Sequence, residues 1–159
     1  MFLPVESVGT KPCWLVTNDK PNLLDQGVQG TLVSGQVNDI KSMVAMPGGL
    51  IMLTAKGAWQ VNGGGPDTAI TPINAKATPQ AFNGASDVRP LIVNNNILFV
   101  QDKGSTIRDL SYSIYTNIYT GMDISVLSNH LFYTFTVTEW SYAEEPFKIV
   151  YAVRNDGLM

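Results

Sequence analysis

Residues 40–61, IKSMVAMPGGLIMLTAKGAWQV, carry the pattern that decides the fold. An apolar run ends at Pro47-Gly48-Gly49, a second ends at Ala55-Lys56-Gly57, and a third begins at Ala58. Short apolar runs bounded by glycine and proline are typical of β-strands joined by tight turns. The stretch therefore predicts three short antiparallel strands in succession.

Two later stretches repeat this arrangement. They are residues 89–110, RPLIVNNNILFVQDKGSTIRDL, and residues 139–159, EWSYAEEPFKIVYAVRNDGLM. The second turn of each stretch ends in a glycine, at Gly57, Gly104 and Gly157. Glycine permits the positive φ that tight hairpins need. These glycines are spaced by 47 and 53 residues. A period near 50 with short antiparallel strands is typical of β-propeller blades, and a β-sandwich with similar hairpins is the alternative.

Helical periodicity is nearly absent from the rest of the chain. The candidate strands are residues 30–34, 40–46, 50–54, 58–61, 91–93, 97–101, 106–111, 132–136, 140–143 and 149–153. The one candidate helix covers 124–131, with Asp123 as N-cap and Val126, Leu127, His130 and Leu131 on part of one face. The predicted fold class is all-β, mainly antiparallel, with one short helix: a partial β-propeller of about two to three blade-like units.

The repeats divide the chain unevenly. A blade-repeat domain is predicted over residues 34–159, preceded by an N-terminal segment, 1–33, that carries little of the pattern. Only two units are complete, whereas closed propellers need about four to eight blades. We therefore expect the chain to be a fragment of a longer propeller, with an unpaired strand edge that invites association.

Composition limits the possible functions. Hydrophobic residues make up 45% of the chain, charged residues only 14%, and the net charge is −3. No Lys/Arg cluster is present, so sequence-specific nucleic-acid binding is disfavoured, although a channel wall that DNA passes would need none. With one cysteine, Cys13, and one histidine, His130, a disulfide framework and a Cys- or His-based metal site are excluded. We expect no cofactor and no membrane span.

Motifs for catalysis are weak. Gly63-Gly64-Gly65-Pro66 is followed by no helix pattern, so an inter-strand loop is favoured over a phosphate-binding loop. The paired carboxylates Glu144 and Glu145 are explained by a solvated turn, and Ser128 and His130 would face different directions on a helix. The sequence therefore predicts that the chain is not an enzyme.

Charged residues at related positions of the repeats are candidates for contacts between blades or subunits. Arg89, Arg108 and Arg154 could pair with Asp39, Asp109 or Glu139, or could be exposed strand-end charges worth little. The aromatic residues of the second half, Tyr112, Tyr115, Tyr119, Phe132, Tyr133, Phe135 and Trp140, are expected in the core or at an interface. An alternative is a carbohydrate-binding module, for which Trp59, Tyr112 and Tyr119 would have to form an exposed platform.

From residue 34 onward the chain resembles a family of phage virion proteins, described as tail, nozzle or DNA-stabilisation proteins of short-tailed phages. An ordered series of motifs carries the resemblance: LTAKGAWQVNG at 53–63, GASDVRP at 84–90, LFVQDKG at 98–104, IRDLSYS at 107–113 and AEEP with VRNDG at 143–157. Family members are much longer than this chain, which agrees with the expected truncation.

The resemblance implies a mechanical function. Family members form β-propeller hubs that assemble as rings below the portal, continue the tail channel, and retain or pass the packaged genome. It implies a homo-oligomeric ring, contacts with other tail or portal proteins, passive contact with DNA, and a location in the virion tail after assembly in the host cytoplasm.

Overall fold

The computed structural model describes residues 32, 39–65 and 68–159. The strand predicted at 30–34 and nearly all of the N-terminal segment 1–33 lie outside the described residues. The described part is mainly antiparallel β-structure with one short helix, which confirms the predicted all-β class, and its sheets do not close into a propeller.

The first sheet is a four-stranded antiparallel meander in chain order. Its strands are β1 (Ile40–Met46), β2 (Gly49–Thr54), β3 (Ala58–Asn62) and β4 (Lys76–Ala81). Register pairs Val44 with Ile51 and Ile51 with Gln60, so these side chains share one face. β4 is an edge strand, which is where Pro79 can sit without removing a ladder hydrogen bond.

The second sheet repeats the meander. Its strands are β5 (Leu91–Val93), β6 (Asn96–Val100), β7 (Ile107–Ser113) and β8 (Ile118–Thr120). The third is a two-stranded hairpin of β9 (Val137–Ala143) and β10 (Ile149–Arg154). Between the second and third sheets, one 3-10 turn at Val126–Ser128 leads into the one-turn helix α1 (Asn129–Phe132).

The middle sheet is buried on both of its faces. On one face Ile97 and Phe99 of β6 belong to a core cluster with Val44, Ile51 and Leu53 of the first sheet. On the other face Leu98 and Val100 belong to a cluster with Val137 and Trp140 of the hairpin. Successive strand residues point to opposite faces, so the apolar run of β6 serves both contacts. The three sheets are therefore packed in the order in which the chain forms them.

A backbone contact recurs in each sheet. In each sheet, the turn after β2, β6 or β10 donates a backbone N–H to a carbonyl earlier in the same repeat. The acceptor lies just before the first strand in the first and third sheets, and in the loop before β5, next to the Ala85–Gln101 bridge, in the second. These bonds are Ala55 to Asp39, Asp102 to Gly84 and Asn155 to Thr136, at 3.0, 3.0 and 2.9 Å. Neighbouring sheets are joined by Ala85 N–H to the Thr54 carbonyl and Val137 N–H to the Gly104 carbonyl, both 2.9 Å. The repeat in sequence is thus a repeat in hydrogen bonding.

Several details of the prediction were wrong. The stretch 132–136 is not a strand, because Phe132 ends α1 and Thr136 is held by Asn155 across the next hairpin. β4 and β8 were missed. Gly104 and Gly157 have positive φ (77° and 82°), but Gly57 does not; a Cβ on Gly57 would lie 2.5 Å from the Ala81 carbonyl oxygen, so close packing requires this glycine.

The helix also differs from the prediction. It is shorter than 124–131, and Asp123 does not cap it. Instead the Asp123 carboxylate accepts hydrogen bonds from the N–H and hydroxyl of Ser125, at 2.8 and 2.7 Å, which forms a turn ahead of the helix. Val126, Leu127, His130 and Leu131 are all exposed, so the predicted helix face covers no core.

Candidate assembly surfaces

The first and second sheets are joined by polar contacts at two places. Lys41 Nζ on β1 lies 2.8 Å from an Asp87 carboxylate oxygen in the loop before β5. The hydrogen bond to Asp87 raises the pKa of Lys41 above its ordinary value. At the outer strands, the Gln80 side-chain oxygen accepts the backbone N–H of Tyr119, at 2.8 Å. Neither pair was predicted, because the partners lie far apart in the chain and no local pattern links them.

The second and third sheets meet around Trp140. Its indole is buried, and Nε1–H donates to the Arg89 backbone carbonyl at 2.5 Å. Trp140 and Arg89, both predicted as contact residues between repeats, therefore lie at the same junction. Arg89 contributes its carbonyl there, and its side chain is exposed. The contact uses hydrogen bonding and apolar packing, and no ion pair of Arg89 is present among the described residues.

Arg154, at the end of β10, contacts the segment that precedes the hairpin. Its guanidinium pairs with Asp156 at 2.5 Å, donates to the Leu131 carbonyl at 2.8 Å and lies 4.3 Å from the centre of the Phe135 ring. Partial desolvation alone would raise the pKa of Asp156, but hydrogen bonds from Arg154 and the Leu158 N–H lower it below its ordinary value. Arg154 pairs within its own repeat, and with none of Asp39, Asp109 and Glu139.

The other predicted contact residues lie apart from the junctions. Arg108 donates from Nε to the Gln101 side chain at 3.0 Å, and Asp109 accepts the Met122 N–H at 2.7 Å, both within the second sheet and its following segment. Glu139 is exposed on the outer face of β9. Among the described residues, the ion pairs are Lys41–Asp87 and Arg154–Asp156, so the predicted pairing of these arginines with Asp109 or Glu139 is not formed.

The hairpin presents an uncovered apolar face, which we call the hairpin outer face. Register places Ile149 beside Ala143, Tyr151 beside Ser141 and Val153 beside Glu139 on this face, while Trp140 and Ala152 point to the core. Ile149 and Tyr151 are exposed. Exposed contiguous apolar patches on folded proteins are associated with interaction sites.

A cleft of about 670 Å³ opens between the first and second sheets, at the end where their first hairpin turns lie. Gln60, Asn62, Asn95 and Asn117 contribute amides to it, and Tyr112 and Tyr119 contribute rings. None of the lining side chains in the described part of the chain is charged. The Tyr112 and Tyr119 ring centres are 5.3 Å apart with planes at 59°, and the Tyr112 hydroxyl donates to the Asn117 side chain.

The aromatic platform considered for a carbohydrate-binding module is not formed by all three residues. Trp59 is half-buried on the opposite face of β3 from Gln60, and so lies away from the cleft. Tyr119 is only 3% exposed, because it packs in the core between the sheets. Tyr112 is 47% exposed. The two tyrosines are therefore brought together with four amide side chains, an arrangement that the sequence did not predict.

Residues considered for catalysis do not converge. Glu144 and Glu145 are exposed in the turn between β9 and β10, and His130 is exposed while Ser128 is half-buried. Within residues 39–65 and 68–159, no group of three or more His, Cys, Asp or Glu side chains is placed to hold a metal ion. No helix in the described part of the chain is long and apolar enough to cross a membrane.

Comparison with models of known protein families and with curated proteins gave no match to this chain.

Proposed function

We propose that the chain is a structural component of a phage or prophage tail. In this proposal it forms part of a nozzle or hub ring that continues the DNA channel and retains or passes the genome. The observation that carries the proposal is the packing of three sheets in chain order, with the middle one buried on both faces. The resemblance of the ordered motifs to those of short-tailed phage tail proteins supplies the biological context.

The repeated hydrogen bonds favour blades of a propeller over a sandwich. A sandwich places two sheets face to face and leaves both outer faces to solvent. Here each junction has its own backbone bond, which Ala85 donates to Thr54 and Val137 donates to Gly104. The sheets do not close on themselves, so further units are needed to complete a ring. We propose that other copies of the chain contribute them.

The hairpin outer face is the surface on which the next unit would pack. It carries Ile149, Tyr151 and Ala143 where the middle sheet carries core residues, and within the described residues β10 has no strand on its far side. An unpaired edge beside an apolar face is costly to leave in water and favours association. A heterologous contact of this kind closes into a ring when the rotation per unit permits.

The charge of the chain suits a conduit better than a DNA-binding surface. Its 13 acidic residues outnumber its 10 basic ones, and the basic residues form no run. A cluster of cations on a channel wall would neutralise phosphates and hold the DNA in place. A weakly acidic chain would let a genome pass, and catalysis plays no part in this function.

Association in solution tests the proposal. We expect the purified full chain to form a discrete homo-oligomer by light scattering coupled to size exclusion. The double substitution Ile149→Lys with Tyr151→Lys should shift the mass toward the monomer, because it places two charges on the hairpin outer face. Ile114→Lys, at an exposed position of the β7–β8 turn, is the matched control and should leave the mass unchanged. A monomer at every concentration would contradict the ring.

The genes beside the reading frame give an independent test of the biological setting. Portal or terminase genes are expected as neighbours. Carbohydrate-metabolism genes in their place would contradict a tail function.

A further inference from the structure

We infer that the cleft between the first and second sheets is a binding site for a neutral saccharide. The cleft is formed by the first two sheets alone, and its ligand does not depend on the proposed ring. Its volume of about 670 Å³ is within the range of small-molecule sites, which is about 300–1,000 Å³.

The aromatic part of the cleft offers an apolar surface beside hydroxyl groups. Tyr112 is about half exposed and tilted against Tyr119, so one ring edge and face remain open to a ligand. Its hydroxyl is held by Asn117, which fixes the ring at the wall of the cleft. A rigid aromatic ring with a polar tip packs against the C–H face of a pyranose while hydroxyl groups find partners at its rim.

The Tyr119 hydroxyl reaches the cleft beside Gly48. The residue as a whole is only 3% exposed, and its hydroxyl forms no hydrogen bond within the described residues. A Cβ on Gly48 would lie 3.3 Å from that oxygen and 3.1 Å from Gln60 Nε2, so glycine leaves the space above both groups open. A hydroxyl at the wall of a cleft offers both a donor and an acceptor to the hydroxyl groups of a ligand.

Amides supply the remaining hydrogen-bonding groups. Gln60 is buried and uses its Nε2–H on the Gly48 carbonyl at 2.8 Å, which leaves its side-chain oxygen as an acceptor. The NH₂ groups of Asn62, Asn95 and Asn117 donate no hydrogen bond within the described residues. An amide presents both donors and acceptors, as a row of sugar hydroxyls requires.

The lack of charge in the lining selects the ligand class. A phosphate, sulfate or carboxylate would lose its hydration without gaining a cation, which is unfavourable. A cationic ligand would likewise find no carboxylate. Of the common ligands that combine an apolar face with many hydroxyls, uncharged hexoses and their oligomers fit this set of groups.

Binding of defined oligosaccharides tests the inference. The ¹⁵N-labelled full chain is titrated to millimolar concentration with maltohexaose, cellohexaose, chitohexaose and mannohexaose, and with a hyaluronan hexasaccharide as the acidic comparison. We expect at least one neutral probe to shift amide resonances of the cleft, such as those of Asn62, Asn95 and Asn117. The acidic probe should shift them less.

Variants locate the site. Tyr112→Ala should weaken binding about tenfold, because the ring contact is lost. Tyr119→Phe should weaken binding about fivefold while keeping the ring in the core, because it removes only the hydroxyl. Tyr115→Ala, on a fully exposed side chain of the β7–β8 turn outside the cleft, is the control and should bind as the parent does.

Three results would overturn the inference: no shift with any neutral probe, stronger binding of the hyaluronan hexasaccharide, or unchanged affinity in Tyr112→Ala. Each can occur in a chain that forms rings, so failure of this site is distinguishable from failure of the assembly function.

Discussion

Residues with positive φ make the tight turns of the hairpins possible. Asn94 and Asn95 have φ of 49° and 65° in the two-residue turn between β5 and β6. Positive φ at both central residues matches the twist of antiparallel strands, and asparagine is among the few residues that adopt it readily.

Asn95→Val should destabilise the chain by about 1–2 kcal/mol, because a β-branched residue pays the full cost of left-handed backbone. Asn95→Gly should change the free energy of unfolding little, since glycine adopts this conformation freely. Urea unfolding monitored by circular dichroism measures both. Equal stability of the valine and glycine variants would contradict the account of this turn.

Folding changes the ionisation of Tyr119. Burial, and secondarily the nearby Tyr112, raise its pKa above the ordinary value of 10.0. The neutral form is favoured in the folded state. The stabilisation from this residue is therefore complete below pH 10 and is lost as the pH rises through the folded pKa.

In an absorbance titration of the folded chain, we expect one of the six tyrosines to ionise later than the others. Tyr119→Phe should remove that late step and should weaken the dependence of stability on alkaline pH. Tyr115→Phe, at a fully exposed position, should leave the late step in place. A late step that persists in Tyr119→Phe would assign it to another tyrosine.

Contacts between distant residues could not be predicted at the residue scale. Nothing local pairs Lys41 with Asp87, and the three arginines at related repeat positions suggested ion pairs that the described structure lacks. Repeat position predicts where a side chain lies along a strand. It does not predict which partner the packing of the sheets brings within reach.

At the scale of elements, strands with a dense apolar pattern were predictable. β1 and β5 have the predicted bounds, β2, β3 and β10 differ by one residue at one end, and β6 is shifted by one residue at both ends. β4 was missed because KATPQA contains a proline and few apolar residues, a composition that an edge strand tolerates. The stretch 132–136 was wrongly assigned because aromatic and β-branched composition alone does not create a pairing partner.

The junction of the second and third sheets depends on one hydrogen bond that apolar packing cannot replace. Trp140→Phe should destabilise the chain by about 1–3 kcal/mol, because the Arg89 carbonyl then loses its buried donor. Trp59→Phe is the matched control, since the Trp59 indole N–H forms no hydrogen bond within the described residues and the side chain is half-buried.

Both variants lose a tryptophan, so their stability is measured by urea unfolding followed by far-ultraviolet circular dichroism, which does not depend on tryptophan fluorescence. A larger loss of stability in Trp59→Phe than in Trp140→Phe would contradict the assigned importance of the Arg89 contact.

At the scale of the whole molecule, repetition was the feature that the sequence predicted best. The spaced glycines at 57, 104 and 157 mark three turns that each donate a backbone N–H to a carbonyl earlier in the same repeat. The cleft was not predictable, because its amides and tyrosines come from turns and strands of two different repeats. They converge only when the sheets pack.

The central proposal is that units stacked in this order build a ring around a channel. Electron cryo-microscopy of the purified full chain tests it most directly. We expect class averages of closed rings with an open centre and with sheets arranged radially around it. Single compact particles without a central channel, at all protein concentrations imaged, would contradict the proposal.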